Sequence, residues 1–192
     1  MRVADSVMSR NLSTQSPSHL SFCFVFALLQ KNFSYKAGQY VFINIPELSL
    51  FEWHPFSISS APHMDVVYVH VRVLGGWTKR LYELADKKGR GKWVAAFLEG
   101  CYGEPAVDVE SDRYKCFLMI SGGIGITPMQ SIANELCEQQ RRGRPMKKLW
   151  FIWSVRPLAQ AGRWWCLFDV LLAHSAICPD IRLVRVVWLG DC

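Results

Sequence analysis

Long hydrophobic runs are missing from this 192-residue sequence. The longest, Leu20 to Leu29, is interrupted by Ser21 and falls short of the ~20 apolar residues that a membrane-spanning helix needs. Also missing is any Cys-x-x-Cys pair. The seven cysteines are scattered and odd in number, which argues against a disulfide framework or a structural zinc site and reads as a reducing, intracellular setting. No Pro/Ser/Gln-rich tract is present, so disorder is confined to the ends. No internal repeat is visible, and neither is a Ser-His-Asp set nor a pair of carboxylates spaced for acid-base work. Acids are in deficit, giving a net charge of +6. Part of the excess lies in Arg141-Arg142-Gly143-Arg144-Pro145-Met146-Lys147-Lys148. Such a run can face nucleic acid or an anionic membrane, but it reads better as the solvated, dipole-matched end of a helix. No nucleic-acid partner is expected.

What is present is enough to build a core: 51% apolar residues and eight tryptophans. Residues 1–19, rich in serine and poor in acids, read as a leader or disordered tail. From Leu20 to about Val109 short strands alternate with turns. In Val66 to Val73, Val67, Val69, Val71 and Val73 take one face, and Tyr68, His70 and Arg72 the other. Gln39 to Ile45 reads as another strand, opened by Lys36-Ala37-Gly38 and closed by Pro46. A helix is expected from Thr78 to Asp86. This spacing predicts a small antiparallel barrel or sandwich over 20–111.

After Ser111-Asp112-Arg113 the pattern becomes strand, helix, strand, helix, strand over 112–192, the signature of a parallel α/β sheet with right-handed crossovers. Lys115 to Ile120 is a continuous apolar run, expected to be covered on both faces. A helix over Pro128 to Arg142, a strand Lys148 to Val155, a Trp-rich helix near Arg163 to His174 and a strand Ile181 to Leu189 follow.

Between the first of these strands and its helix stands Ser121-Gly122-Gly123-Ile124-Gly125-Ile126-Thr127-Pro128. Glycines let the backbone turn tightly against a pyrophosphate, and unpaired amides at a helix start supply donors and partial positive charge. Thr127 is expected as the N-cap, Pro128 at the first helical position and Gln130 as the far side of a capping box, with Gly143 at the exit. Where an NAD site places an acid at the end of the second strand, this chain reads Ser154-Val155-Arg156-Pro157. An arginine there suits a 2′-phosphate and favours NADPH over NADH.

One stretch fits none of this: Trp53-His54-Pro55-Phe56-Ser57-Ile58-Ser59-Ser60-Ala61-Pro62. Together with "VHVRVLGGWT", "GCYG" and "GGIGITP", in that order over about residues 33–158, it resembles the dehydrogenase region of the NADPH oxidase and ferric-chelate reductase family. The resemblance implies an FAD-binding β-barrel followed by an NADPH-binding α/β domain, here truncated, so the sequence reads as a fragment. It implies Phe56 against the isoalloxazine ring and Ser57 near flavin N5, the two residues of catalytic relevance, with Pro55 fixing their backbone. His54, His70, Arg72, Gly76, Trp77 and Thr78 are implied for the rest of FAD. Gly122, Gly123, Gly125, Thr127, Pro128 and Arg156 are implied for NADPH, and no metal ligand is implied. The implied activity is hydride transfer from NADPH to FAD, with electrons passed to haem in a membrane domain of the longer protein and then to ferric chelate or oxygen. In that setting this region lies on the cytosolic side. A soluble ferredoxin reductase-type enzyme and an inactive truncated flavin module remain open as alternatives.

Overall fold

The computed structural model describes residues 2–9, 21–27, 33–88, 93–105, 108–155 and 181–187. The first half is a six-stranded antiparallel sheet. Its strands are β1 (Arg2–Ser9), β2 (Ser21–Ala27), β3 (Tyr40–Asn44), β4 (His54–Ser57), β5 (Val67–Arg72) and β6 (Trp93–Tyr102), and its order is β4-β3-β6-β1-β2-β5. Just past the edge strand β4, residues 58–60 meet the other edge strand, β5, through the isolated bridge Ile58–Val69 and hydrogen bonds of Ser59 and Ser60 with Tyr68. The sheet therefore curls towards a barrel without a continuous ladder to close it. Helix α1 (Gly76–Lys88) follows β5 directly. The expected alternation in β5 holds, with Val67, Val69 and Val71 buried against Ile43, Ile58, Trp77 and Leu81.

Two expectations change here. Residues 2–9, read as part of a leader or tail, form β1, paired with both β2 and β6. And His54–Ser57, which fitted none of the expected elements, forms the edge strand β4. It lies at the sheet edge, where the missing Pro55 amide costs no ladder bond.

The second half is a parallel sheet of β7 (Cys116–Gly122), β8 (Lys148–Val155) and β9 (Ile181–Val187), in the order β7-β8-β9. The helix α2 (Ile126–Arg141) lies between β7 and β8 in sequence and packs Ile126, Ala133, Leu136 and Cys137 onto Phe117, Met119, Leu149 and Phe151. Among the described residues, coverage of β7 on both faces is not found. The strand is at an edge and α2 covers one side only, so Leu118 and Ile120 are 62% and 66% exposed. The Trp-rich segment 163–174 and Arg156 lie outside the described residues. Among the described residues no helix is long and apolar enough to cross a membrane.

The exit of α2 follows the sequence reading closely. Gly143, at φ +102, donates to the Gln140 carbonyl while Arg144 donates to that of Gln139, the paired bonds of a Schellman C-cap. The basic run beyond it is not wholly solvated. Arg144 is buried, bonding the carbonyls of Val109 and Ser111 and the side-chain oxygen of Gln139, with its guanidinium 5.4 Å from the Phe117 ring. It anchors the segment that joins the two halves.

Candidate functional site: two open cradles joined by a clasp

Pairing β4 with β3 sets the register Ile43–His54, Phe42–Pro55, Val41–Phe56 and Tyr40–Ser57. Alternation then sorts the four residues by face. His54 and Phe56 share the side of Trp77, their rings 4.2 and 5.9 Å from its indole, while Pro55 and Ser57 take the other. Trp77 is buried, Pro55 is exposed, and His54, Phe56 and Ser57 are half-buried. Glu52, held by Arg80 at 2.7 Å, lies 3.8 Å from His54 Nε2.

Arg72 ends β5, half-buried, with no acidic partner among the described residues. Four residues on, α1 begins at Gly76, two residues earlier than expected. Its first turn holds no acid, so the amides there keep their partial positive charge. Thr78 supports this start. Its Oγ1 accepts from the amides of Leu74 and Gly75 and donates to the Gly75 carbonyl, each at 3.0 Å. Side chains added at Gly75 or Gly76 would meet almost nothing in the protein.

His70 sits apart from this open surface. It is buried, and its Nδ1 lies 2.7 Å from Ser59 Oγ. That hydroxyl spends its one proton on the Tyr68 carbonyl at 2.9 Å, so His70 Nδ1 is the donor between the two. Burial drives the His70 pKa down to about 3, and the ring is neutral.

The second cradle lies at the end of β7. Gly123–Gly125 form one 3-10 turn, entered by Gly123 at φ +50, and Trp153 Nε1 donates to the Gly123 carbonyl at 3.0 Å. The capping box is not made. α2 starts at Ile126 with Gly125 in the cap position and no side-chain cap bond. Thr127 is therefore already helical, and its hydroxyl turns back to the Ile124 carbonyl at 3.1 Å. Gln130 is buried, and Pro128, third in the helix, lines an apolar cavity of about 390 Å³ beside β7 with Leu118, Ile120 and Ile132. This leaves the first amides of α2 without a side-chain acceptor, beside three glycines whose Cβ positions meet no atom within 4 Å. The protein's own packing does not require Gly122 or Gly125 to be glycine. The backbone there is open to close approach from outside.

The residues that join the cradles were not singled out by sequence. Ser131 Oγ, on α2, donates to the Ser60 carbonyl at 2.6 Å. Ser60 Oγ accepts from the Tyr68 amide at 3.0 Å and lies 2.9 Å from the Tyr35 hydroxyl, which donates to the Ala61 carbonyl. Burial raises the Tyr35 pKa to about 12, keeping that donor protonated. One helical turn beyond Ser131, Glu135 Oε2 meets His63 Nδ1 at 3.1 Å. The small polar run Ser59-Ser60-Ala61 thus serves the junction, and only its composition hinted at it.

An antiparallel sheet followed by a parallel α/β unit, each offering an open helix start beside glycines that no side chain fills, has the fold of the ferredoxin reductase class. A solved ferredoxin NADP+ reductase from Neisseria gonorrhoeae superposes on all of the chain and 71% of its own length with a TM-score of 0.65 at 20% identity. Residues 25–106 match the model of an FAD-binding domain, and 114–164 that of a ferric reductase NAD binding domain. The chain is 35% identical to dual oxidase 2 of Homo sapiens over 164 residues, 83% of this chain and 10% of that protein. It is 32% identical to a superoxide-generating NADPH oxidase heavy chain of Dictyostelium discoideum over 146 residues, 65% of this chain and 21% of that one. The chain belongs to the ferric reductase and NADPH oxidase family. It spans about a tenth to a fifth of the length of these relatives.

Proposed function

We propose that this chain is the flavin- and pyridine-nucleotide-binding part of an NADPH-dependent oxidoreductase. It passes electrons to haem in a membrane domain of a longer protein and from there to ferric chelate or oxygen. In this reading residues 20–111 hold FAD, residues 112–192 hold NADPH, and the region faces the cytosol. The observation that carries the proposal is the pair of open helix starts, each beside glycines that nothing in the protein fills, tied together through Ser60 and Ser131.

FAD fits the first cradle. The Arg72 guanidinium and the amides from Gly76 onward suit a pyrophosphate, Thr78 holds that turn in shape, and the half-buried His54 ring, backed by the buried Trp77, offers a flat surface for the adenosine end. Phe56, half-buried, packs beside Trp77, and Ser57, on the opposite face of the same strand, presents its hydroxyl to the flavin edge. His70 acts from behind, through Ser59, by keeping β4 and β5 together. NADPH fits the second cradle at Gly122, Gly123 and Gly125, with Thr127 and Pro128 shaping the helix start; Arg156 is assigned to the 2′-phosphate from its sequence position alone, just past β8. When bound, the two cofactors supply the hydride and its acceptor, so no protein acid or nucleophile is needed. The chain's share is to hold, align and dry the site, with Ser57 offering a hydrogen bond at the accepting edge.

The test is to load the purified chain with FAD and titrate it without oxygen, first with NADPH and then with NADH. The proposal expects loss of the yellow absorbance with NADPH at lower concentration than with NADH. A flavin that stays oxidised with both contradicts it.

A further inference from the structure

We propose that Ser131 is a positioning residue that, with Glu135, sets the alignment between the nucleotide-holding start of α2 and the strand bearing Ser57; this rests on the functional reading above. The Ser131–Ser60 bond is short, at 2.6 Å, and both residues are almost wholly buried. Neither end can drift alone. Ser131 belongs to the helical backbone. Ser60 is held to β5 by the Tyr68 amide on its hydroxyl, and its neighbour Ser59 by the bond from its own amide to the Tyr68 carbonyl at 2.9 Å.

The arms on either side of the bond are short. Ser57 is three residues from Ser60, at most about 10 Å at strand rise. The first residue of α2 is five from Ser131, about 7.5 Å at helical rise. A displacement at the clasp is therefore carried to both cradles with little slack. One bond fixes a distance but leaves the helix free to roll. The His63–Glu135 contact at 3.1 Å, one turn further along the same helix face, removes that freedom. Reactions that need atoms about 3–3.5 Å apart lose roughly 100-fold in rate for a misplacement of about 1 Å. A clasp of this kind can govern rate while leaving each binding site intact.

The experiment compares the FAD-loaded chain with its Ser131→Ala, Ser131→Thr and Glu135→Gln variants in three measurements. These are flavin occupancy, NADPH dissociation constant and the rate of anaerobic bleaching after rapid mixing. Ser131→Ala is expected to keep occupancy and affinity and to bleach about 10- to 100-fold more slowly, and Ser131→Thr, which retains the hydroxyl, to recover most of the rate. Glu135→Gln gives a smaller slowing of the same kind and carries the comparison if Ser131→Ala does not fold. In the flavin-free chain, amide hydrogen exchange at residues 59–61 rises in Ser131→Ala. Bleaching of Ser131→Ala at the parent rate, or a loss of flavin or nucleotide affinity that accounts for the slowing, overturns the inference. A parent chain that never bleaches overturns the functional reading itself, while the exchange measurement still reports whether the clasp holds.

Discussion

Burial sets the behaviour of His70 more firmly than any partner. In the unfolded chain it takes a proton near pH 6.5; in the folded chain it does so only near pH 3. Between these values the unfolded state binds more protons, so stability rises with pH across the window and falls on acidification. The slope from this one group is at most about 1.4 kcal/mol per pH unit. Urea unfolding at pH 7 and pH 5 should show the loss, and His70→Gln should lessen it; an equal loss in both chains would assign it elsewhere. Arg72 is the opposite case, a half-buried cation with no acid beside it among the described residues. Arg72→Ala should leave the melting temperature nearly unchanged and strip FAD from the purified protein, whereas undiminished occupancy would remove Arg72 from the pyrophosphate site. Both residues were legible in sequence as members of one alternating face. Which of them turns inward was not, because that depends on Ser59, in the segment that follows β4.

At the scale of elements, local patterns foretold much. Strand β8 has the expected bounds, and α2 runs over nearly the expected residues with Gly143 at its exit. The start of α2 differs from the local pattern for a physical reason. Thr127, Pro128 and Gln130 make a good capping box on paper, but the glycine turn continues the helix one residue upstream of Thr127, so the threonine has no free amide to cap. That difference leaves the helix start open, and it yields a test. Gly122 lies at φ −126, ψ 133, a conformation open to any residue, with no atom near its Cβ direction. Gly122→Val should therefore fold normally and lose NADPH affinity by about 10-fold or more, a loss of at least about 1.4 kcal/mol. Gly123, at φ +50, behaves otherwise: Gly123→Ala forces a left-handed backbone and should cost about 1–2 kcal/mol of stability. Titrating nucleotide into both variants, alongside thermal unfolding, separates the two effects. Strands β1 and β2 and the closure between β4 and β5 stayed hidden, since pairing partners far apart in sequence leave no local signature.

Across the whole molecule, the two halves meet through buried groups from both. Arg144 holds the carbonyls of Val109 and Ser111 from the exit of α2, and Ser131 and Glu135 hold the Ser60 loop from its middle. Replacing Arg144 by Leu leaves those carbonyls buried without a donor and should cost about 2–3 kcal/mol in urea unfolding; a neutral outcome would show the joint to be held elsewhere. The order of the two units and the chemistry of each cradle could be read along the chain. Their junction could not, because it depends on which face of one helix meets which loop of the other half. The central claim is that the two cradles are held close enough for direct hydride transfer. It is tested most directly by a single anaerobic turnover of the FAD-loaded chain with NADPH carrying deuterium at the transferred position of C4. The account predicts bleaching that is measurably slower than with ordinary NADPH. Bleaching at the same rate with both, or none at all, would contradict it.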